Sequence, residues 1–342
     1  MKKYSINIIG SGLFLLILVF TLQVFLPRSY PVPHLLIRES TKYWNLSTGS
    51  RIAYTLIKAR TARRPFPVIY VHGGPGGAIS DKTISSLAAL ADDGYDVYLY
   101  DQIGSGLSER LKDINEYTAE RHKKDLEEII QKTGAEKVIL MGQSWGAVLS
   151  LLVVSDNADK VEKIIFASPG PIFPVHTQLA QLKAPDSLQI THPYYSNAEG
   201  NRASTNIRTK AMEFFAIRLG WKIASDNEAD DFAAFRNAMV NRSTVCDTSK
   251  IPEIEGGSGF YSQVMTMKTI YGIADPRPKL KNSKISVLIL KGQCDNQPWG
   301  FATEYLSLFP QHQLCIIRNA GHFIYLEQPE MYLKTIRAFL NK

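Results

Sequence analysis

The sequence predicts an α/β fold with a mostly parallel central sheet, helices on both faces of the sheet and an inserted helical cap. Continuous apolar runs such as FPVIYVHGG, DVYLYDQIGSG and KVILMGQS are typical of buried parallel strands, and helical patterns separate them along the chain. The pattern changes over residues 172–280, where amphipathic helices follow one another without a strand pattern between them. Strand patterns return in ISVLILKGQCD and QLCIIRNAGH, so the insertion divides one sheet domain into two parts.

The chain begins with an apolar segment. No charged residue lies between Lys3 and Arg28, and residues 6–26 would extend about 31 Å as a helix, enough to span a bilayer core. We therefore expect residues 1–27 to form a transmembrane helix that acts as an uncleaved signal anchor. Lys2 and Lys3 would then place the main domain on the extracytoplasmic side. The alternative is a cleaved signal segment, which would leave a secreted or periplasmic protein.

The remaining elements follow in order. Residues 28–41 form a proline-rich linker. Residues 42–171 are predicted as the first part of the sheet domain, which opens with a hairpin around Thr48 and continues with alternating strands and helices. Residues 172–280 form the helical cap, and residues 281–342 complete the domain with two strands and a closing helix.

Composition and charge restrict the partners. Apolar residues make up 45% of the chain and charged residues 21%, which is typical of a folded globular protein. The net charge of +7 is moderate, and Lys and Arg are scattered among Asp and Glu. We therefore expect no nucleic-acid partner, and contact with a membrane only through the N-terminal helix.

The three cysteines indicate neither a disulfide framework nor a zinc site. Cys246, Cys294 and Cys315 are an odd number and lack Cys-x-x-Cys spacing. We expect each to be a small buried apolar side chain, with a disulfide between one pair as the alternative for an exported domain.

The motif Gly142-Gln143-Ser144-Trp145-Gly146 lies between a predicted strand and a predicted helix. A serine hydroxyl becomes an effective nucleophile when a base takes its proton and N–H groups stabilise the resulting oxyanion. The two glycines permit the tight turn that exposes such a serine at the carboxyl edge of a sheet. We therefore predict Ser144 as the nucleophile.

Asp295 and His322 are the predicted partners of Ser144. His322 follows the last predicted strand, where the base is expected, although a core histidine is the alternative. His72 also follows a strand, but it precedes a glycine-rich turn in which a backbone role is more natural. Asp295 follows the preceding strand, and the chain order Ser, Asp, His is that of the α/β-hydrolases.

The oxyanion hole is predicted to use two backbone N–H groups. Trp145 follows the nucleophile and supplies one, and Gly74 in HGGPGG supplies the other. A loop with only a connecting role is the alternative for HGGPGG.

Together these motifs resemble the proline iminopeptidase (prolyl aminopeptidase) branch of the α/β-hydrolases. The resemblance rests on HGGPGG at 72–77, DQIGSGLS at 101–108, GQSWG at 142–146, GQCD ending at Asp295 and GH at 321–322. It implies an α/β-hydrolase fold with a helical cap, release of an N-terminal residue, usually proline, from a peptide, and no metal or cofactor. The chain departs from the family at Ile103, where arginine is usual, and at Met141, where a second glycine is usual.

Substrate binding by the family implies carboxylates in the cap. Family members hold the substrate's ammonium group with glutamates of a tryptophan-rich helix, and no such motif is recognisable here. Glu213, near Trp221, and Glu228 are the candidates.

We expect a serine hydrolase, and within that class an aminopeptidase that works through a Ser-His-Asp triad and an acyl-enzyme. A carboxylesterase or amidase on small acyl substrates is the alternative, which a cap without acidic residues would favour. A non-catalytic hydrolase-fold binding protein is the third reading, although such proteins commonly lose a triad residue and all three are present here.

Overall fold

One sheet of eight strands organises the fold in the part of the chain that the computed structural model describes, residues 2–281 and 283–342, with side chains from residue 12 onward. In chain order the strands are β1 (Lys42–Asn45), β2 (Arg51–Ile57), β3 (Val68–Val71), β4 (Val97–Tyr100), β5 (Val138–Gln143), β6 (Val161–Ala167), β7 (Ser286–Gly292) and β8 (His312–Ile317). Their spatial order is β1-β2-β4-β3-β5-β6-β7-β8. The pairs β1–β2 and β2–β4 are antiparallel and the other pairs are parallel, so the prediction of a mostly parallel sheet is confirmed.

The central strands are buried on both faces. Every residue of β3 and of β5 is buried, which explains why these strands read as continuous apolar runs. Because successive side chains of a strand point to opposite faces, neighbouring residues of β5 belong to different core clusters: Leu140 packs on one face and Met141 on the other.

Helices cover both faces of this sheet. They are α1 (Lys2–Phe25), α2 (Asp81–Ala88), α3 (Ala119–Lys132), α4 (Trp145–Val154), α5 (Asn197–Ser204), α6 (Ile207–Leu219), α7 (Asp226–Val240), α8 (Phe260–Ile270), α9 (Arg277–Leu280), α10 (Trp299–Leu308), α11 (Ile324–Glu327) and α12 (Pro329–Leu340). Leu126 of α3 and Leu149 of α4 belong to one core cluster, whereas Leu87 of α2 and Ile336 of α12 belong to the other. The prediction of helices on both faces is therefore confirmed.

Between β6 and β7, the described residues contain the helices α5 to α9. The last long helix of this segment, α8, lies directly on the sheet domain. Gly259, its first flanking residue, packs so closely on Gly104 that an added Cβ would collide with the Gly104 carbonyl oxygen. Ser262 donates a hydrogen bond to the Ile103 carbonyl over 2.9 Å, and Thr269 accepts one from the Ala119 N–H over 3.0 Å.

The prediction of a transmembrane helix at the N-terminus is wrong. Among the described residues, no helix combines the length and the apolar character that crossing a membrane requires. The last turn of α1 instead packs on protein: Val24 is buried, its carbonyl accepts a 2.7 Å hydrogen bond from Arg208, and Phe25 packs edge-on against Phe215 of α6. The side chains of residues 1–11, the start of the predicted anchor, lie outside the described part.

Two other expectations depended on that helix. The membrane-anchored location on the extracytoplasmic side and the membrane as a partner are both wrong for the same reason. Residues 28–41, expected as a spacer, also lie against the folded domain. The Arg28 N–H donates to Glu228 over 2.9 Å, Tyr30 packs on Phe232 of α7, and Arg38 pairs with Asp81 at 2.5 Å.

Candidate active site

Ser144 occupies the sharp turn between β5 and α4. Its φ of 54° and ψ of −117° lie outside the usual regions for a residue other than glycine. A Cβ on Gly142 would collide with the Gly146 carbonyl oxygen, and a Cβ on Gly146 would collide with the carbonyl oxygen of Val71. The close approach of β3, β5 and α4 therefore requires both glycines of the motif.

His322 and Asp295 lie at the same edge of the sheet, after β8 and β7. The Nδ1 atom of His322 and Oδ1 of Asp295 are 2.8 Å apart, and both side chains are buried. The Gln297 N–H donates to the same carboxylate oxygen over 3.0 Å, and the His322 N–H donates to the Thr244 carbonyl over 2.6 Å. These contacts fix both residues of the predicted acid–base pair.

The charge state of Asp295 follows from its surroundings. Burial by itself would raise the pKa of this carboxyl, but the Lys291 ammonium group and the His322 ring outweigh burial and hold the pKa well below its usual range. Asp295 is therefore a carboxylate at neutral pH.

Ser144 and His322 both line a cavity of about 380 Å³. No hydrogen bond joins Ser144 to His322 in the described part of the chain. The cavity walls come from the sheet edge on one side and from the segment between β6 and β7 on the other. A substrate in this cavity is in contact with both parts of the molecule.

The predicted oxyanion donors are Gly74, in the turn after β3, and Trp145, which directly follows Ser144 at the start of α4. Gly74 lines the cavity with a φ of 124°, and a Cβ there would collide with the following backbone. Within the described residues, neither backbone N–H group takes part in a hydrogen bond. Both groups are therefore free to bind an oxyanion, as oxyanion-hole donors must be.

Gln102 connects the two donor segments, and the sequence analysis did not identify it. Its Oε1 accepts a 2.8 Å hydrogen bond from the Trp145 indole N–H, and its Nε2 donates over 2.8 Å to the His72 carbonyl. His72 Nε2 in turn accepts from the Gln102 N–H over 2.9 Å. Burial lowers the pKa of His72, so its ring remains neutral and takes a structural part in this network. The position of Gln102 two residues after the end of β4 was the available sequence signal.

The two predicted cap carboxylates are not among the described residues that line the cavity. Glu213 is exposed on α6. Glu228 is buried in a bidentate ion pair with Arg208, with distances of 2.6 and 2.8 Å.

Two other carboxylates, Glu253 and Glu255, line the cavity opposite the sheet edge. Partial burial raises the pKa of Glu255. The Lys82 and Arg38 cations act in the opposite direction, and the Asp81 and Glu253 carboxylates add to the rise. Beside the triad candidates, the Asn296 side-chain oxygen is buried and has no hydrogen-bond partner in the described part of the chain. This cavity therefore offers acceptors to a cationic or hydrogen-bond-donating group.

A disulfide links the two halves of the site. Cys246 follows Thr244 in the inserted segment, Cys294 precedes Asp295, and the two sulfurs are bonded, whereas Cys315 is free. The expectation that all three cysteines are separate apolar side chains is wrong for this pair. In the part of the chain that the structure describes, no group of three or more His, Cys, Asp or Glu side chains is placed to hold a metal ion.

Comparison with known proteins identifies the family. A family model described as "alpha/beta hydrolase fold" matches residues 67–329. The chain belongs to the α/β-hydrolase family. This α/β-hydrolase is 27% identical over 297 residues to the proline iminopeptidase of Heyndrickxia coagulans, with 86% of this chain and 96% of that protein covered.

Solved structures share the fold. A proline iminopeptidase from Mycobacterium smegmatis superposes with a TM-score of 0.58 and 19% identity, covering 88% of this chain and 98% of that one. A thermophilic esterase from Thermogutta terrifontis gives a TM-score of 0.59 at 19% identity, with the same coverage. The predicted resemblance to the proline iminopeptidase branch is confirmed, and this α/β-hydrolase is an enzyme, a hydrolase. The reading as a non-catalytic binding protein is set aside.

Proposed function

We propose that this α/β-hydrolase is an aminopeptidase that releases an N-terminal residue, proline or a similar one, from peptides. The observation that carries the proposal is the pair of carboxylates, Glu253 and Glu255, in the same cavity as Ser144 and His322. An enzyme that requires a free N-terminus must bind an ammonium group within one residue of the scissile bond. Glu253 and Glu255, here called the acidic wall, line the same cavity as the nucleophile and are the candidates to bind this group.

In the proposed mechanism, the Ser144 hydroxyl oxygen attacks the carbonyl carbon of the N-terminal residue while His322 Nε2 takes the hydroxyl proton. Asp295 holds the ring through Nδ1 and stabilises the imidazolium. The N–H groups of Trp145 and Gly74 bind the oxyanion of the tetrahedral intermediate. The C–N bond then breaks, and His322 returns the proton to the leaving amine. Water hydrolyses the acyl-enzyme by the same steps in reverse.

The electrostatics of the acidic wall support ammonium binding. Because burial raises the pKa of Glu255, a neighbouring cation stabilises its anionic form, and the carboxylate attracts that cation in return. Lys82 also lines the cavity and offsets part of the negative charge of Glu253 and Glu255. The unpartnered oxygen of Asn296 adds an uncharged acceptor near the triad candidates.

The similarity to proline iminopeptidases over most of the chain supports the same assignment. This similarity supports the family, and the carboxylates of the cavity support the proposed substrate class.

The test compares three substrates: a proline arylamide with a free amine, its N-acetylated form and a short-chain aryl ester. We expect the free-amine arylamide to be cleaved, acetylation to block cleavage, and Ser144→Ala to abolish it. Hydrolysis of the ester alone would contradict the aminopeptidase assignment and leave an esterase.

A second set of variants tests the acidic wall. Glu255→Gln and Glu253→Gln should each raise KM for the free-amine arylamide by about 10–100-fold, because a hydrogen bond to a charged group contributes about 1.5–3 kcal/mol. KM for the ester should change little. Glu136→Gln is the matched control, because Glu136 is exposed and lies just before β5, whose opposite end leads into Ser144. An equal loss with both substrates would contradict the assigned role of the carboxylates.

A further inference from the structure

Lys291 is a fully buried lysine at the end of β7. Its side chain is 1% exposed, and Nζ donates hydrogen bonds to Asp295 Oδ2 over 2.9 Å and to the Gln297 carbonyl over 2.8 Å. The other carboxylate oxygen of Asp295, Oδ1, takes the contact with His322. The Asp295 carboxylate therefore contacts the Lys291 ammonium group through one oxygen and the His322 imidazole through the other.

The sheet does not need a cation at this position. Burying an ammonium group costs several kcal/mol unless it is paired, and the preceding β7 residues, such as Ile289 and Leu290, are apolar and buried. An aliphatic side chain at position 291 would satisfy the core. What the lysine adds is a positive charge that faces Asp295 and a donor that holds the loop of residues 295–297, part of the cavity wall.

We propose that Lys291 is a positioning residue for the Asp295–His322 pair, whose charge neutralises Asp295 so that His322 acts as a base at lower pH than it would beside an unpaired carboxylate. An unneutralised carboxylate attracts a proton onto the imidazole it touches, and a neighbouring ammonium group opposes that attraction. The inference rests on the proposed function, because it concerns the same triad.

In the part of the chain that the structure describes, several other charged groups lie around His322 or line the same cavity. Behind the ring are Asp295 and Lys291. Glu327 accepts hydrogen bonds from the Gly321 N–H and from Cys246 and Asp247 in the inserted segment. Across the cavity are Glu253, Glu255 and Lys82. Of these groups, Lys291 is the cation bonded to the carboxylate that contacts His322.

The decisive measurement is the dependence of kcat/KM on pH for a neutral aryl ester, a substrate without an amine that titrates. Lys291→Met keeps the length and removes the charge, and it should move the midpoint of the acid limb upward by about one pH unit. The matched control is Lys163→Met, which removes a lysine that bonds the Phe339 and Leu340 carbonyls elsewhere on the sheet. This control should leave the midpoint where it is in the wild type.

A lower kcat with an unchanged midpoint in Lys291→Met would show a purely structural role and overturn the inference. If Lys291→Met does not fold, Lys291→Gln, which also removes the charge, is measured in its place. An upward shift of about one pH unit in that variant supports the inference, and an unchanged midpoint overturns it. A different result would contradict the proposed function and not only the role of Lys291: hydrolysis of the ester by Ser144→Ala as fast as by the wild type would show that Ser144 is not the nucleophile.

Discussion

The disulfide between Cys246 and Cys294 should contribute about 4 kcal/mol to the free energy of unfolding. The two cysteines are 48 residues apart in sequence. In the chain-entropy model, closing a loop of that length restricts the unfolded chain by about 4 kcal/mol at 25 °C, between the values for loops of 15 and of 100 residues. The bond also joins the inserted segment to the residue before Asp295, so its removal should loosen the acid of the proposed triad.

The perturbation is the double variant Cys246→Ser with Cys294→Ser, compared with Cys315→Ser, which removes the free cysteine and leaves the bond. Urea unfolding without reductant, followed by tryptophan fluorescence, should show a free energy of unfolding lower by about 4 kcal/mol for the double variant and little changed for the control. Wild-type protein in excess reductant should behave like the double variant.

Two outcomes would refute this reasoning. A double variant within about 1 kcal/mol of the wild type would show that the bond does not restrict the unfolded chain as the model requires. Unchanged stability of the wild type on complete reduction, checked by thiol titration, would have the same meaning. Retention of full esterase activity in the double variant would refute only the proposed effect on Asp295.

Three further predictions concern other residues. Asp295→Asn should lower kcat by about 10⁴-fold with the fold intact, because the amide favours the wrong tautomer of the histidine; steady-state kinetics and circular dichroism check this. Arg208→Met should destabilise the protein by about 3–5 kcal/mol in urea unfolding, because it leaves the buried Glu228 carboxylate without its cation, whereas Arg218→Met on the exposed side of α6 should cost little. Burial raises the pKa of Asp125 to about 6, so the folded state binds the proton more tightly than the unfolded state does, and stability falls as pH rises from about 4 to 6; in Asp125→Asn this part of the pH dependence of unfolding should disappear.

The geometry around Ser144 could be predicted from sequence because its causes are local. Two glycines with a serine between them, placed after an apolar run, leave few conformations for the turn, and the observed φ at Ser144 is one of them. The chain order of Asp295 and His322 follows equally from strands that end at one edge of a parallel sheet. The Gly-x-Ser-x-Gly pattern and the topology of the sheet were sufficient to predict Ser144, Asp295 and His322 as neighbours.

The acidic wall could not be predicted in the same way. Glu253 and Glu255 lie in a segment without regular secondary structure, and their approach to Ser144 depends on how the inserted segment folds over the sheet edge. The resemblance implies glutamates of a tryptophan-rich cap helix, and it points to Glu213, near Trp221, and to Glu228. Neither the resemblance nor a helical pattern indicates which face of a cap helix meets the cavity. The pairing of Cys246 with Cys294 depends in the same way on contacts between distant segments.

Lys291 had a signal that sequence analysis can use. A single lysine inside the apolar run ISVLILKGQCD contradicts the expectation for a buried strand, and such a contradiction indicates a paired charge nearby. The N-terminal prediction failed for the opposite reason. An apolar run at the N-terminus predicts a membrane span when the segment is taken alone, whereas the end of α1 packs on α6 of the same protein.

The hydrogen bonds made by Arg208 and Glu228 determine how many N-terminal residues can be removed without exposing this buried ion pair. The Val24 carbonyl and the Arg28 N–H each satisfy one member of this buried pair. A truncation that starts at Tyr30 would remove both partners and admit water to a site where the two charges now meet only protein atoms. A shortened enzyme for crystallisation or kinetics should therefore begin upstream of Val24, so that both backbone partners of the buried ion pair remain.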